Sequence, residues 1–206
     1  MEDKRITPKS GITRRGFIKG AGLTTVGSVA LQSGVFAGTE KAEEANKDLG
    51  PEAVSITMKV NGEVRKLNIE PRATLAKALR EDLQLTGTKV VCDRGSCSAC
   101  TVWIDNTPVN ACMTFAMDIG EKEVTTIEGL AKNGKLHPIQ QAFIDHDASQ
   151  CGYCTPGMIM STAHLLSRNP NPTIEDVKHA TRGNYCRCGT YPYVFEATLS
   201  AAKKMK

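Results

Sequence analysis

Hydrophobic and polar residues alternate in two stretches on either side of a strong turn signal. Residues 54–60, VSITMKV, and residues 63–69, EVRKLNI, are separated by Asn61-Gly62. Alternation with a period of two is typical of a strand with one buried face, and Asn-Gly favours a tight hairpin turn. The pattern therefore predicts a β-hairpin.

The hydrophobic period changes from two to about four after this hairpin. Within residues 73–83, ATLAKALREDL, three leucines recur at every fourth position: Leu75, Leu79 and Leu83. This spacing places them on one face of an amphipathic helix. Strand-like segments return at residues 101–104, TVWI, and 123–127, EVTTI. The first half of the chain is therefore predicted to form a small mixed sheet with a helix across it.

Four helical stretches follow Gly129, and each has one apolar stripe. They cover residues 137–147, 156–168, 173–181 and 193–204, and Thr173 with Asp176 approximates a capping box at the start of the third. Because an isolated amphipathic helix is marginal in water, the four are expected to pack together as a bundle. The predicted fold class is α+β, with a sheet domain at residues 53–130 and a helical domain at residues 131–206.

Charge argues against a nucleic-acid partner. The 206-residue chain has 26 Lys and Arg against 22 Asp and Glu, a formal charge of +4. Six of the basic residues and two of the acidic ones lie in residues 1–37, which leaves 20 of each sign in the remainder. The remainder therefore offers no basic field for a phosphate backbone.

The basic front end has the features of an export signal. Arg14 and Arg15 precede a mildly apolar run that ends in small residues at Val35-Phe36-Ala37. Residues 1–37 resemble a twin-arginine signal peptide, whose pathway exports folded proteins. This predicts a periplasmic protein without a stable membrane span, and the alternative is a disordered basic tail. Residues 38–52 are polar and aperiodic, which is typical of a linker.

Eight cysteines, all after residue 91, fall into two groups of four. The first cysteine group consists of Cys92, Cys97, Cys100 and Cys112. Its spacing of four residues, two residues and then a distant cysteine is that of a plant-type 2Fe–2S site. Gly95 would let the loop bend and direct N–H groups at sulfur. Structural zinc and disulfides are the alternatives, although bridges between close cysteines would close very small loops.

The second cysteine group consists of Cys151, Cys154, Cys186 and Cys188. Thr155-Pro156 and Thr190 are expected to begin two helices, so both cysteine pairs should lie just ahead of helix N-termini. The partial positive charge of these N-termini would stabilise an anionic cluster. Four thiols without histidine favour iron–sulfur, but spacing alone leaves a four-cysteine zinc site open for this group.

Several motifs together carry a family resemblance. CDRGSCSACTV, NAC, TTIEGL, QCGYCTPGMIM and GNYCRCGTYPYVFEA, between residues 54 and 200, resemble the iron–sulfur subunit of the xanthine dehydrogenase/aldehyde oxidase family of molybdenum hydroxylases. With the export signal in front, the chain is most similar to periplasmic aldehyde oxidoreductase small subunits. The resemblance implies a ferredoxin-like β-grasp domain and a four-helix domain, each with one 2Fe–2S cluster.

The resemblance also implies a division of labour between subunits. Substrate would be oxidised on a large molybdopterin-binding subunit, so this chain would have no catalytic residue of its own. It would pass electrons one at a time through both clusters to FAD or another acceptor, on a FAD-binding subunit or a cytochrome. Gln150 and Cys188 are expected near the pterin. Ser98 departs from the family, which usually has glycine there, and would be strained if its φ is positive.

Three alternatives remain open at this stage. The chain could serve a related hydroxylase acting on xanthine, nicotinate, isoquinoline or carbon monoxide, or be a free-standing two-cluster ferredoxin. A secreted disulfide or zinc module is the structural alternative. The histidines are expected to be structural or solvated, because each cysteine group already offers four thiols: His137, His146, His164 and His179.

Overall fold

A computed structural model describes residues 50–205. The predicted twin-arginine signal and nearly all of the predicted linker lie outside these residues. Within residues 50–205, no helix is both long enough and apolar enough to cross a membrane.

The predicted hairpin is confirmed and forms one end of a five-stranded sheet. Strand β1 (Val54–Val60) pairs antiparallel with β2 (Glu63–Ile69) around Asn61-Gly62. Both turn residues have positive φ angles, which Asn and Gly tolerate better than other residues. The inward face of the hairpin buries alternate side chains, including Met58, Val60 and Leu67.

The remaining strands complete the sheet in an order that differs from their order in sequence. They are β3 (Thr101–Ile104), β4 (Thr107–Asn110) and β5 (Glu123–Thr125), and the sheet order is β2-β1-β5-β3-β4. β5 runs parallel to β1 and antiparallel to β3. The strand predicted over residues 123–127 is shorter than expected, because the chain enters a 3-10 turn, Ile127–Leu130, soon after Thr125.

The segment predicted as one regular helix is irregular. A single α-helical turn, α1 (Leu75–Lys77), begins at Thr74, whose hydroxyl accepts a hydrogen bond from the Lys77 N–H. It continues as a π-helical turn, Ala78–Asp82, closed by the Leu83 N–H on the Ala78 carbonyl. Leu75 and Leu79 are nevertheless fully buried, so the predicted apolar face is confirmed although the predicted helix type is wrong.

The four predicted helices of the second half are all present. They are α2 (Pro138–Asp145), α3 (Thr155–Arg168), α4 (Ile174–Thr181) and α5 (Tyr191–Lys204). α4 has the predicted capping box, in which Thr173 and Asp176 bond each other's backbone N–H. α3 begins one residue earlier than predicted, because Cys154 is its N-cap and Thr155 its first residue.

Two separate hydrophobic clusters lie in the two halves, and α3 packs against β3 between them. Trp103 on β3 donates its indole N–H to the Met160 carbonyl of α3 at 3.0 Å and packs edge-on against His164. Residues Leu49–Lys206 form one compact unit. The predicted domain boundary near residue 130 falls inside this unit and stays a prediction.

Candidate metal centre

The first cysteine group is gathered by one loop and the short turn after β4. Residues 92–100 form a coiled loop that ends where β3 begins, and Cys112 lies in a 3-10 turn, Ala111–Met113. The Cys97 side chain lies close enough to Cys92 to lower the pKa of the Cys92 thiol, and the Cys112 side chain lies close enough to Cys100 to raise the pKa of the Cys100 thiol. Cys97 also interacts electrostatically with Cys100, so the four sulfurs form one connected set.

Backbone N–H groups of this loop point at the sulfurs. The Gly95 N–H donates to Cys112 Sγ and the Ser96 N–H donates to Cys92 Sγ, each at 3.3 Å. Gly95 has a φ of +72°, and a Cβ there would lie 3.0 Å from Met113 Cγ. The role expected for Gly95 is therefore visible: its backbone conformation turns the loop around sulfur.

The second cysteine group is assembled from two distant segments. Cys154 is the N-cap of α3, and Thr190, two residues after Cys188, is the N-cap of α5. The Cys186 side chain lies close enough to Cys154 to raise the pKa of the Cys154 thiol, and the Cys151 side chain does the same to the Cys188 thiol. Both cysteine pairs therefore lie at helix N-termini, as the sequence predicts, where the positive end of the helix dipole favours anionic sulfur.

Side chains as well as the backbone N–H groups of Gly189 and Thr190 surround Cys186. The Thr190 hydroxyl lies 3.3 Å from Cys186 Sγ, and the Cys186 N–H donates to the Tyr191 hydroxyl at 2.9 Å. The Tyr191 hydroxyl in turn donates to the Asn184 carbonyl at 2.9 Å. The sequence gives no signal for these roles of Tyr191 and Asn184, because their contacts depend on how the 184–191 turn closes.

In each group, the pKa of one thiol is lowered and that of another is raised. Hydrogen bonds from backbone N–H groups, that of Arg94 foremost, lower the pKa of Cys92 to about 7. Burial raises the pKa of Cys100 and of Cys154 to about 12. Burial also opposes ionisation of Cys186, but hydrogen bonds from Thr190 outweigh it and lower its pKa to about 7. The Cys100 and Cys154 thiols would therefore release their protons only on binding metal.

The donor sets fit binuclear iron sites. Among residues 50–205, no three His, Cys, Asp or Glu side chains surround a single metal position. A 2Fe–2S cluster does not need such a position, because its four thiolates are shared between two irons. Each group offers four thiols, a buried side and N–H or hydroxyl groups directed at sulfur, which are the features that stabilise such clusters.

The two residues expected near the pterin lie at the outer edge of the second cysteine group. Gln150 is exposed and directly precedes the exposed Cys151, and Cys188 is half-buried. Ser98 has a φ of +50°, the positive value that would favour glycine. Its hydroxyl faces Gly183, 3.3 Å from the position of a Cβ there.

The fold and the two cysteine groups define the class of this protein as a two-site 2Fe–2S electron carrier. Known families agree: residues 58–129 match the 2Fe-2S iron-sulfur cluster binding domain, and residues 126–199 match the 2Fe-2S binding domain. These matches decide the question of zinc that spacing left open for the second group. The chain thus carries two 2Fe–2S-binding domains.

Curated relatives identify the family more closely. The chain is 38% identical over 210 residues to the aldehyde oxidoreductase iron-sulfur-binding subunit PaoA of Escherichia coli K12, covering 95% of this chain and 90% of that protein. It is 45% identical over 148 residues to the nicotine 6-hydroxylase small subunit of Paenarthrobacter nicotinovorans, covering 72% of this chain and 89% of that protein. The chain belongs to the family of iron–sulfur subunits of molybdenum hydroxylases.

Solved structures show the same fold. Quinoline 2-oxidoreductase from Pseudomonas putida 86 matches with a TM-score of 0.71 and 38% identity, over 74% of this chain and 95% of that chain. Aldehyde oxidoreductase from Desulfovibrio gigas matches with a TM-score of 0.69 and 38% identity, over 74% of this chain but only 17% of that chain. The predicted fold class, a ferredoxin-like domain followed by a helical 2Fe–2S domain, is confirmed.

Proposed function

We propose that this chain is the electron-transfer subunit of a molybdenum-containing aldehyde oxidoreductase. The observation that carries the proposal is the extent of the match to relatives. The alignment with aldehyde oxidoreductase subunits covers 95% of the chain, whereas the alignments with nicotine and nicotinate enzymes cover 72–73%. The relation to aldehyde enzymes therefore extends beyond the segment that the whole family shares.

The cysteines proposed to hold the clusters are those brought together in the structure. They are Cys92, Cys97, Cys100 and Cys112 for the first cluster, and Cys151, Cys154, Cys186 and Cys188 for the second. When bound, each cluster supplies a site that accepts and releases one electron at a time. The protein holds the thiolates, excludes water on the side of Cys100 and Cys154, and directs N–H groups at the negative charge.

Substrate oxidation is assigned to a partner. The matching segment makes up 17% of the aldehyde oxidoreductase chain from Desulfovibrio gigas, so most of that protein has no counterpart here. We infer that a separate large subunit with molybdopterin supplies the missing part. Gln150 and Cys188 are the residues proposed to lie closest to the pterin.

An apolar surface surrounds the outer edge of the second cysteine group. Val91, Tyr153 and Tyr185 are 56%, 59% and 72% exposed, and line one groove together with Cys151 and Arg187. Exposed apolar side chains grouped in this way are typical of a protein interface. We assign this face to the large subunit, because an electron from the pterin would enter here.

A second exposed apolar patch, next to the first cysteine group, is assigned to the electron acceptor. Met113 and Phe115 are 65% and 49% exposed immediately after Cys112. A FAD-binding subunit or a cytochrome that docked here would lie beside the first cluster. Two assays distinguish these acceptors. The purified complex should reduce either an added FAD-binding subunit or, directly, a cytochrome.

Assembly with the large subunit tests the proposal. The full chain, co-expressed with a molybdopterin-binding partner, should purify as a stable complex that oxidises aldehydes and bleaches both clusters. Tyr153→Ser with Val91→Ser should weaken that complex while iron content stays unchanged, and Val64→Ser, equally exposed on the edge strand β2, should not. A chain that stays monomeric beside the large subunit would instead be a free-standing ferredoxin.

The related hydroxylases of N-heterocycles are the second candidate, because the nicotine enzyme subunit is 45% identical to this chain. Turnover of the complex with nicotinate, xanthine or isoquinoline, and none with aldehydes, would favour that candidate. Carbon monoxide should be tested as a substrate in the same assay.

Export by the twin-arginine pathway is proposed from Arg14, Arg15 and the apolar run that follows them. Folded export suits a protein whose clusters must be inserted beforehand. Replacing both residues by lysine keeps the charge but removes the guanidinium pair. The wild-type chain should appear in the periplasm and the double variant should remain in the cytoplasm; equal distribution would contradict the proposal.

A further inference from the structure

The two cysteine groups meet at a single backbone crossing. The Tyr185 N–H donates to the Cys97 carbonyl at 3.0 Å. Cys97 belongs to the first group, and Tyr185 is directly followed by Cys186 of the second group. One hydrogen bond and a short run of covalent bonds on each side therefore connect a sulfur of one group with a sulfur of the other.

A second contact fixes the neighbouring peptide. The Asn184 side-chain N–H donates to the Ser98 carbonyl at 3.1 Å, and the Thr101 hydroxyl donates to the same carbonyl at 2.7 Å. Because Asn184 belongs to the helical half and Thr101 to the sheet, this carbonyl is held from both sides. The positive φ of Ser98 belongs to the turn that presents it.

Gly157 makes this close approach possible. It lies in the first turn of α3, three residues after Cys154, and is buried. A Cβ at Gly157 would lie 2.1 Å from the Ser98 carbonyl oxygen and 3.0 Å from Ala99 Cα. Since real Cβ atoms are not found so close to backbone, only glycine lets the helix that carries Cys154 touch the loop that carries Cys97 and Cys100.

We propose that Gly157 is a positioning residue that sets the electronic coupling between the two clusters, with the Tyr185–Cys97 hydrogen bond as the crossing point. One electron would pass from the second cluster to the first. The step would oxidise the second cluster and reduce the first, and no proton would be transferred. The inference rests on the proposed electron-transfer function, but it concerns only the step within this chain.

Gly157→Ala tests the inference in the full chain with both clusters loaded. The added methyl group should push the 97–99 loop away from α3 and weaken the Tyr185–Cys97 bond. We expect severalfold faster hydrogen exchange of the Tyr185 amide, weaker spin–spin interaction between the two reduced clusters, and severalfold slower electron transfer between them. Iron content should equal that of the wild type.

Gly183→Ala is the matched control. It adds the same methyl group beside the same loop, but its nearest neighbour, at 3.3 Å, is the Ser98 hydroxyl, which can rotate away. This variant should keep wild-type exchange, spin–spin interaction and transfer rate. If Gly157→Ala behaves like Gly183→Ala with both clusters loaded, the inference is overturned.

Asn184→Ala decides the matter if Gly157→Ala fails to load both clusters. It removes the donor to the Ser98 carbonyl and leaves the α3 contact intact, so a smaller loss of the same three signals is expected. Wild-type values would overturn the inference. These measurements need no partner subunit. If electrons pass normally between the two clusters but the chain accepts none from a molybdopterin subunit, the proposed function is refuted and this inference is not.

Discussion

The two cysteine groups proposed to hold the 2Fe–2S clusters are assembled by different means. In the first group, three cysteines lie within nine consecutive residues, and the loop between them supplies its own N–H donors to sulfur. In the second group, two pairs more than thirty residues apart meet at helix N-termini, and the Thr190 and Tyr191 side chains add polar contacts to those of the backbone N–H groups. The first site is thus encoded locally, whereas the second exists only once the helices have packed.

Loss of one ligand gives the largest effect expected from this difference. Cys188→Ser should abolish the second cluster and leave the first, because the ligands of the first group come from another segment. Iron and sulfide analysis should then give about two irons per chain instead of about four. Arg187→Ser, at the exposed neighbouring position, should retain the full content. An unchanged iron content in Cys188→Ser would remove Cys188 from the second site.

A backbone change should affect the first group selectively. Gly95→Ala forces a side chain into a positive φ conformation, which should destabilise the protein by about 1 kcal/mol or more in thermal or chemical unfolding. Gly134, with a φ of +73° and open space around it, is the matched control. Both alanine variants should lose similar stability, but only Gly95→Ala should shift the reduction potential of the first cluster. A shift in both variants would mean that the Gly95 N–H is not a specific donor.

A side-chain change should affect the second group selectively. Tyr191→Phe removes the hydroxyl that accepts from Cys186 and donates to Asn184, and leaving these partners unsatisfied should cost about 1–3 kcal/mol. The potential of the second cluster should change while that of the first stays constant. Tyr193→Phe, at a 49% exposed position on the same helix, should alter neither potential. Equal effects of the two substitutions would contradict this account of the second group.

The smallest expected effect is a pH dependence confined to the helical half. Burial lowers the pKa of His137, whose Nδ1 accepts a hydrogen bond from the Ile139 N–H at the start of α2. The folded-state pKa of His137 lies below the unfolded value of 6.5, so neutral His137 contributes to the free energy of unfolding. This contribution is complete above pH 6.5 and is lost as the pH falls through the folded-state pKa. Chemical unfolding at several pH values should show a loss of about 1 kcal/mol or less.

His137→Asn distinguishes the titration of this N-cap residue of α2 from other effects of acid on stability. Asparagine can accept the same N-terminal hydrogen bond but does not titrate in this range. The variant should therefore keep its free energy of unfolding where the wild type loses stability. An identical pH dependence in both proteins would assign the loss to other groups.

Local sequence signals identified much of the fold before any contact was known. Asn61-Gly62 predicted the hairpin, and Thr173 with Asp176 predicted the start of α4, because turns and caps depend on residues only a few positions apart. The π-helical turn at residues 78–82 had no such signal. Arg80, which donates to the Thr86 and Thr88 carbonyls, draws the following chain back against this turn.

The sequence by itself determined which residues could hold metal, because the chain has two separate groups of four cysteines and each 2Fe–2S cluster needs four thiolates. It also determined the two kinds of secondary structure that carry these motifs. Only the tertiary structure decided that β5 pairs in parallel with β1, that Trp103 contacts α3, and that Gly157 brings α3 against the Ser98 carbonyl. These contacts join residues far apart in the chain, and their partners are selected by packing of the whole molecule, which no local pattern records.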